Sequence, residues 1–278
     1  MGEPRPRGGP GETPSNCDGS PEVTRNLPAR EGAVRVSVCM ATYNGSVYVR
    51  DQLLSILSEL GGADEVIVVD DASSDNTVEV VLAVSDTRVS LMRNETNQGH
   101  VKSFAKALAA ARGEYILLSD QDDLWVEGRV SSILAALGRR TVAAGRFEYF
   151  GEISGRPPRD LPELRVFASQ RNLFSILTGR RPYFGSAMGF RREILPVLLP
   201  IPRYAEAHDI WLAIVGNVLG GVDHVDELVL RRRIHRDNLT PRHRRGLGRI
   251  VQSRFGMLRL MHEAKRRNTP ARLGQTRP

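Results

Sequence analysis

The chain has 278 residues, 41% of them hydrophobic and 26% charged, with a formal net charge of +7. This is globular composition, long enough for one large domain, and no run of about 18 apolar residues is present to cross a membrane as a helix. The positive charge is concentrated in residues 231–278, which hold 15 Lys and Arg against two acids, Asp237 and Glu263, while the rest of the chain is acidic in balance. Such a tail can touch anionic lipid, nucleic acid or a diphosphate, but no nucleic-acid recognition motif accompanies it and nucleic acid is not an expected partner.

Residues 1–32 are rich in Pro, Gly and polar residues and lack the apolar segment of a secretory signal. They are expected to form a disordered leader. Of the two cysteines, Cys17 lies in that leader and Cys39 in an apolar run. That usage suits a reducing compartment, with Cys39 a small core residue rather than a reactive thiol.

From residue 34 the pattern alternates. "VRVSVCMATYN" (34–44) predicts a strand ending in a polar turn. The helix predicted over 46–60 puts Val49, Leu53, Ile56, Leu57 and Leu60 on one stripe and stops at Gly61 and Gly62. "DEVIVVDDASSDNT" (64–77) is a continuous apolar run, the pattern of a strand buried on both faces. The helix that follows has Ser or Asp at its N-cap. A strand over 88–94, a helix over 99–112, a strand over 114–119 and a helix over 125–140 complete the series. Strand and helix in alternation predict an α/β fold with a mostly parallel sheet covered on both sides.

Ligands of such sheets bind beyond the C-terminal ends of the strands. The polar residues at those ends are Thr42, Tyr43 and Asn44; Asp70 and Asp71; Asn97; and Asp120, Asp122 and Asp123. Side chains alternate in an extended segment, so Asp120 and Asp122 face one way and Gln121 the other. Two carboxylates on one side of a cleft call for a hard divalent cation; without it, their repulsion raises one pKa. Asp123 has a second possible role as the N-cap of the next helix. Neither G-x-G-x-x-G nor G-x-x-x-x-G-K-[ST] occurs, so a bound diphosphate has to be held by metal.

The segments "VSVCMATYNGSVYVRDQLLSIL", "VIVVDDASSDNT", "NQGHVKSFAKAL" with "GEYILLSDQDDLW", and "HDIWLA" together resemble family 2 glycosyltransferases, over roughly residues 34–240. The "SDQDD" followed by Trp and the later "HDIW" look closest to the rhamnosyltransferase-like branch. The resemblance implies a GT-A fold, with a nucleotide-binding half and an acceptor-binding half, over residues 33–240. A basic helix or tail follows at 241–278. It implies a nucleotide-diphospho sugar donor, a saccharide or lipid-linked acceptor, and Mg²⁺ or Mn²⁺ as cofactor.

Carried over residue by residue, the resemblance sets Thr42, Tyr43 and Asn44 against the nucleoside and Asp71 at the base or ribose edge, with Asn97 in the same nucleotide-sugar site. Asp120 and Asp122 match the D-x-D that holds ribose and metal, and His235, in "RRRIHRDN", matches a further metal ligand. Asp209 matches the catalytic base; its other role is a helix N-cap. One base opposite the leaving group implies inversion at the anomeric carbon.

His208 is expected to shape the acceptor site or to lie on the surface, and Trp211 to stack on an acceptor sugar or pack in the core. Arg231, Arg232 and Arg233 are candidates for phosphate contact. In 141–158 only Glu148 supplies an acidic strand end, which leaves the acceptor half open. Residues 250–261 of the tail form a partial apolar stripe among arginines, expected to lie on an anionic membrane or to pack on the body. Localisation is expected to be cytoplasmic, peripheral at the inner face of the plasma membrane. The alternatives are a sugar-phosphate nucleotidyltransferase, which needs a Gly-rich basic loop after the first strand that "ATYNGSVYV" does not provide, and a basic nucleic-acid-binding protein.

Overall fold

The computed structural model describes residues 34–151, 169–180, 183–235 and 246–269. The expected leader, 1–32, and the ends of the basic tail lie outside the described residues. The elements run β1 (Val36–Thr42), α1 (Val49–Leu57), β2 (Glu65–Asp70), α2 (Thr77–Ala83), β3 (Val89–Arg93), α3 (His100–Ala110), β4 (Tyr115–Ser119), β5 (Leu124–Trp125), α4 (Arg129–Leu137) and β6 (Val142–Gly151). They continue with α5 (Ser169–Thr178), β7 (Met188–Arg191), α6 (Leu195–Leu198), α7 (His208–Val218), β8 (Val222–Ile234) and α8 (Leu247–Arg267).

One sheet takes the order β3-β2-β1-β4-β7-β6-β8-β5. Its first half is parallel throughout, as the alternating pattern predicts. Beyond β4 it turns mixed, because β7 runs antiparallel to both β4 and β6 while β8 runs parallel to β6. This is the GT-A fold: a curled central α/β sheet flanked by helices.

Alternation explains the two layers of core. Val36, Val38 and Met40 of β1 point to the side of α1 and α4, where Leu53, Ile56, Ile133 and Leu137 bury them. Cys39 points the other way, with Ile67, Ile116 and Leu118, toward Phe104 and Leu108 of α3 and the apolar face of α7. A strand with helices on both faces needs apolar side chains at successive positions, and each such burial contributes about 1.5–3 kcal/mol before conformational entropy is subtracted. Cys39 is a core residue whose burial holds the thiol protonated.

Two boundaries differ from the sequence reading. Leu124 and Trp125 form a short strand, paired with Arg231 and Leu230 of β8, and α4 starts only at Arg129. Asp123 is therefore not a helix cap; Gly128 holds that position in the left-handed region, at φ +82°. At the start of α2 the cap position is Asn76 and makes no side-chain bond. The Asp75 carboxylate instead accepts from the Thr77 N–H at 3.0 Å.

Ser253 and Leu260 of α8 are buried against the body, with Ala264 on the same side. Arg267, at its last turn, donates to the Val197 and Pro200 carbonyls at 3.0 and 2.8 Å.

Candidate active site

At the end of β1 the loops are tied to one another. Thr42 Oγ1 donates to Asp70 Oδ1 at 3.1 Å. Asn44 takes φ +47°, a left-handed conformation Asn tolerates; its N–H donates to Ser73 Oγ and its Oδ1 accepts from the Ser74 N–H, both at 2.9 Å. Tyr43 is 46% exposed. Its N–H donates to Gln121 Oε1 at 2.9 Å and its carbonyl accepts from Gln121 Nε2 at 3.1 Å. Gln121, in the bend beyond β4, thus braces the first loop.

Asp71 and Asn97 meet at the N-terminus of α3. The buried Asp71 carboxylate accepts from the Gln98 and Gly99 N–H groups at 2.9 and 2.7 Å and from Asn94 Nδ2 at 2.8 Å. Asn97 Oδ1 accepts from the same Gly99 N–H at 3.1 Å. Burial alone would raise the Asp71 pKa; these hydrogen bonds outweigh it and hold the group below the ordinary carboxylate value.

Asp120, Asp122 and Asp123 each bring a carboxylate oxygen within 4.8 Å of the others. Burial and the charge of Asp122 push Asp120 up to about 6, and Asp209 adds to the shift while Arg232 opposes it. Asp123 is driven well above its usual range by burial and by the charges of Asp120 and Asp122. Its Oδ1 accepts from the Arg233 N–H at 3.0 Å; its Oδ2 is buried and has no hydrogen-bond partner within bonding distance among the described residues. An orphaned buried oxygen among repelling carboxylates is what a cation relieves. His235 Nε2 meets Asp122 Oδ2 at 2.7 Å, which adds an imidazole to the oxygen set. The donors fit Mg²⁺ or Mn²⁺.

Asp209 is the second residue of α7, and Ala207 holds the cap position with no side-chain bond. Burial pushes Asp209 up to about 6, against the Ile210 and Gly185 N–H groups and the charge of Arg232. The structure thus gathers Asp120, Asp122, Asp123, Asp209, Arg232 and His235 into one electrostatic group.

The three arginines of β8 separate. Arg231 pairs with Glu148 at 2.7 Å. Arg233 donates to the Asp122 carbonyl at 3.0 Å and lies over the Tyr48 ring at 5.0 Å. Arg232 stacks on Phe184 at 3.9 Å and its charge acts on Asp120, Asp123 and Asp209.

His208 and Trp211 turn inward. His208 stacks on Phe104 at 3.8 Å between ring centroids, and burial holds its pKa down at about 3. It supports α7 from inside rather than forming an acceptor surface or lying on the outside. Trp211 is a core residue whose Nε1 donates to the Leu198 carbonyl at 2.9 Å; helical spacing had left both roles open.

Two residues escape a sequence reading. Arg129 is fully buried. Its guanidinium donates to the carbonyls of Val229 at 3.3 Å, Leu118 at 3.2 Å and Ser186 at 2.5 Å, and lies 4.1 Å from the Trp125 ring centre. It joins β4, β8 and the turn at Gly185–Ala187. The available signal was a cation on the stripe Arg129, Ile133, Ala136, Leu137. Gly185 is the second: a Cβ there would stand 2.6 Å from His208 Nε2 and 3.4 Å from Asp209 Cβ.

The Glycosyl transferase family 2 profile matches residues 37–199, and the chain belongs to that family. Among curated relatives, it is 32% identical over 108 residues to the UDP-Glc:alpha-D-GlcNAc-diphosphoundecaprenol beta-1,3-glucosyltransferase WfgD of Escherichia coli, covering 39% of this chain and 43% of that one. It is 36% identical over 98 residues to the succinoglycan biosynthesis protein ExoO of Rhizobium meliloti, covering 35% and 28%. The chain thus spans less than half the length of these relatives. A crystal structure of S. aureus TarS in complex with UDP-GlcNAc superposes with a TM-score of 0.63 at 18% identity, covering 83% of this chain and 66% of that one.

Proposed function

We propose that this chain is an inverting, metal-dependent glycosyltransferase. It moves a sugar from a nucleotide-diphospho donor to a saccharide or lipid-linked acceptor in cell-surface polysaccharide synthesis, at the cytoplasmic face of the membrane. The observation that carries this reading is the cluster of Asp120, Asp122 and Asp123 with His235, electrostatically coupled to a carboxylate of raised pKa, Asp209.

Asp120, Asp122 and His235 would hold Mg²⁺ or Mn²⁺, with Asp123 Oδ2 a further oxygen at the same place. An ion held there would supply positive charge to the leaving diphosphate. Arg232 lowers the negative potential of the cluster. Thr42, Tyr43, Asn44, Asp71 and Asn97 bound the nucleoside end, where the exposed Tyr43 offers a ring face to the base. Asp209 takes the proton of the acceptor hydroxyl as that oxygen attacks the anomeric carbon and the nucleoside diphosphate departs. One base opposite the leaving group gives inversion.

The sugar is a hexose or a rhamnose. The named activity of WfgD favours a UDP-hexose and a diphosphoundecaprenol-linked acceptor; the "SDQDDLW" and "HDIW" segments favour rhamnose. A thermal-shift series with UDP-, dTDP- and GDP-sugars, with and without Mn²⁺, decides the base, since a bound donor raises the midpoint by mass action. Release of nucleoside diphosphate then tests turnover. No shift with any donor in the presence of Mn²⁺ overturns the reading.

A further inference from the structure

We propose that the outer face of α8 is a docking surface for an anionic lipid bilayer. Val251, Phe255 and Leu258 are 68%, 65% and 49% exposed. Spaced i, i+4 and i+7, they form one stripe along the helix. On the same side of the helix Lys265 and Arg266 are exposed, Arg266 paired with Glu263 at 2.8 Å, and at the edge of the stripe Arg259 is exposed over the Tyr204 ring at 4.2 Å.

The helix cannot roll to hide that stripe. Its opposite side buries Ser253, Leu260 and Arg267. Arg267 is fixed by the carbonyls of Val197 and Pro200 and by Glu263 at 2.7 Å, and Arg254 donates to the Ile176 carbonyl at 3.4 Å. The apolar residues therefore stay presented outward. No helix among the described residues is long and apolar enough to cross a membrane, so α8 lies on a surface rather than through it.

Charge and apolarity together choose the occupant. Two copies packed face to face would set cationic helices against each other. A nucleic acid would meet the arginines and leave Phe255 and Val251 in water. An anionic bilayer satisfies both: headgroups meet the cations, and the stripe enters the acyl boundary. The use of this surface to the enzyme rests on the lipid-linked acceptor proposed above; the surface itself does not.

The test is flotation of the full chain with phosphatidylcholine vesicles, with and without phosphatidylglycerol, beside a Val251→Ser, Phe255→Ser, Leu258→Ser triple variant. The wild type is expected to bind the anionic vesicles about tenfold more tightly than the neutral ones, and less in high salt. The triple variant is expected to lose about tenfold in vesicle affinity while releasing nucleoside diphosphate from donor in solution as the wild type does. Equal flotation of variant and wild type, or no preference for anionic lipid, overturns the proposal. So does a concentration-dependent dimer that the triple variant abolishes, or binding of RNA in place of vesicles. Flotation with no donor binding leaves the surface standing and removes the enzymatic reading; donor turnover without flotation does the reverse.

Discussion

His235 Nε2 lies 2.7 Å from Asp122 Oδ2, joining residues 113 positions apart. The imidazole is steadied on its other side by the Tyr48 ring, 4.7 Å away between centroids. Held this way, the imidazole has its orientation set within the protein, as the proposed metal-ligand role requires. His235→Ala is expected to raise the Mn²⁺ concentration for half-maximal turnover by about 10- to 100-fold, and Asp122→Asn to abolish metal-dependent turnover. An unchanged Mn²⁺ titration in the His235 variant would remove the imidazole from the site.

Asp209→Asn separates chemistry from stability. As proton acceptor, the carboxylate contributes about 10²- to 10⁴-fold to turnover, so the amide is expected to lose that much with donor affinity kept. The folded value is about 6 against an ordinary 3.8. Between those values the folded chain holds a proton that the unfolded chain has released, so this group makes stability fall as pH rises through that window. Near neutral pH the Asn variant is therefore expected to be more stable by about 1–3 kcal/mol, read by urea unfolding. Wild-type turnover is expected to fall as pH drops through about 6. A variant that is both inactive and destabilised would make Asp209 a structural group.

Arg129→Met leaves the Leu118 and Ser186 carbonyls without that donor and takes a cation from behind Asp123. Truncating a buried, multiply bonded charge is expected to destabilise by about 2–4 kcal/mol. Arg129→Lys keeps the charge but not the planar fork, and is expected to recover part of the loss. Thermal unfolding of the three proteins checks the order; equal midpoints would contradict the bracing role.

At Gly185 the fit is steric. Ala would set its Cβ 2.6 Å from Nε2 of the His208 ring, whose face is stacked on Phe104. Relief requires moving α7, and Asp209 with it. Gly185→Ala is expected to lower stability by about 1–3 kcal/mol and turnover by more than that loss explains. Wild-type kinetics in the variant would show that α7 yields freely.

The parallel half of the sheet was legible because strands buried on both faces carry unbroken apolar runs, as "VIVV" and "YILL" do, and because polar residues mark where each run leaves the core. Asp120 and Asp122 were legible as acids beyond a strand end, but they lie in a bend past β4, so their convergence with Asp123 does not follow from strand alternation. Asp123 and Trp125 were misread because a two-residue strand is too short for any period; the pairing with Leu230 and Arg231 that defines it is a contact across more than a hundred residues. Asp71 could be placed at a strand end, but its partners Gln98 and Gly99 sit ahead of α3, nearly thirty residues on. His208 and Trp211 share a helical stripe on which an inward and an outward side chain look alike until α3 is in place. Arg129 was hidden because a cation on an apolar stripe finds its acceptors only among backbone carbonyls, which sequence does not name.

The strand β8 delivers Arg232 and His235 to aspartates synthesised more than a hundred residues earlier. A nascent chain that has left the ribosome as far as α4 already carries the acidic tip of β4 but neither the guanidinium nor the imidazole that faces it. Until the last strand is translated and docks, those carboxylates relieve their repulsion through water and protons alone. Assembly of the acidic corner with its cationic side chains thus waits for β8, and a chain truncated before that strand retains the aspartates without Arg232 and His235.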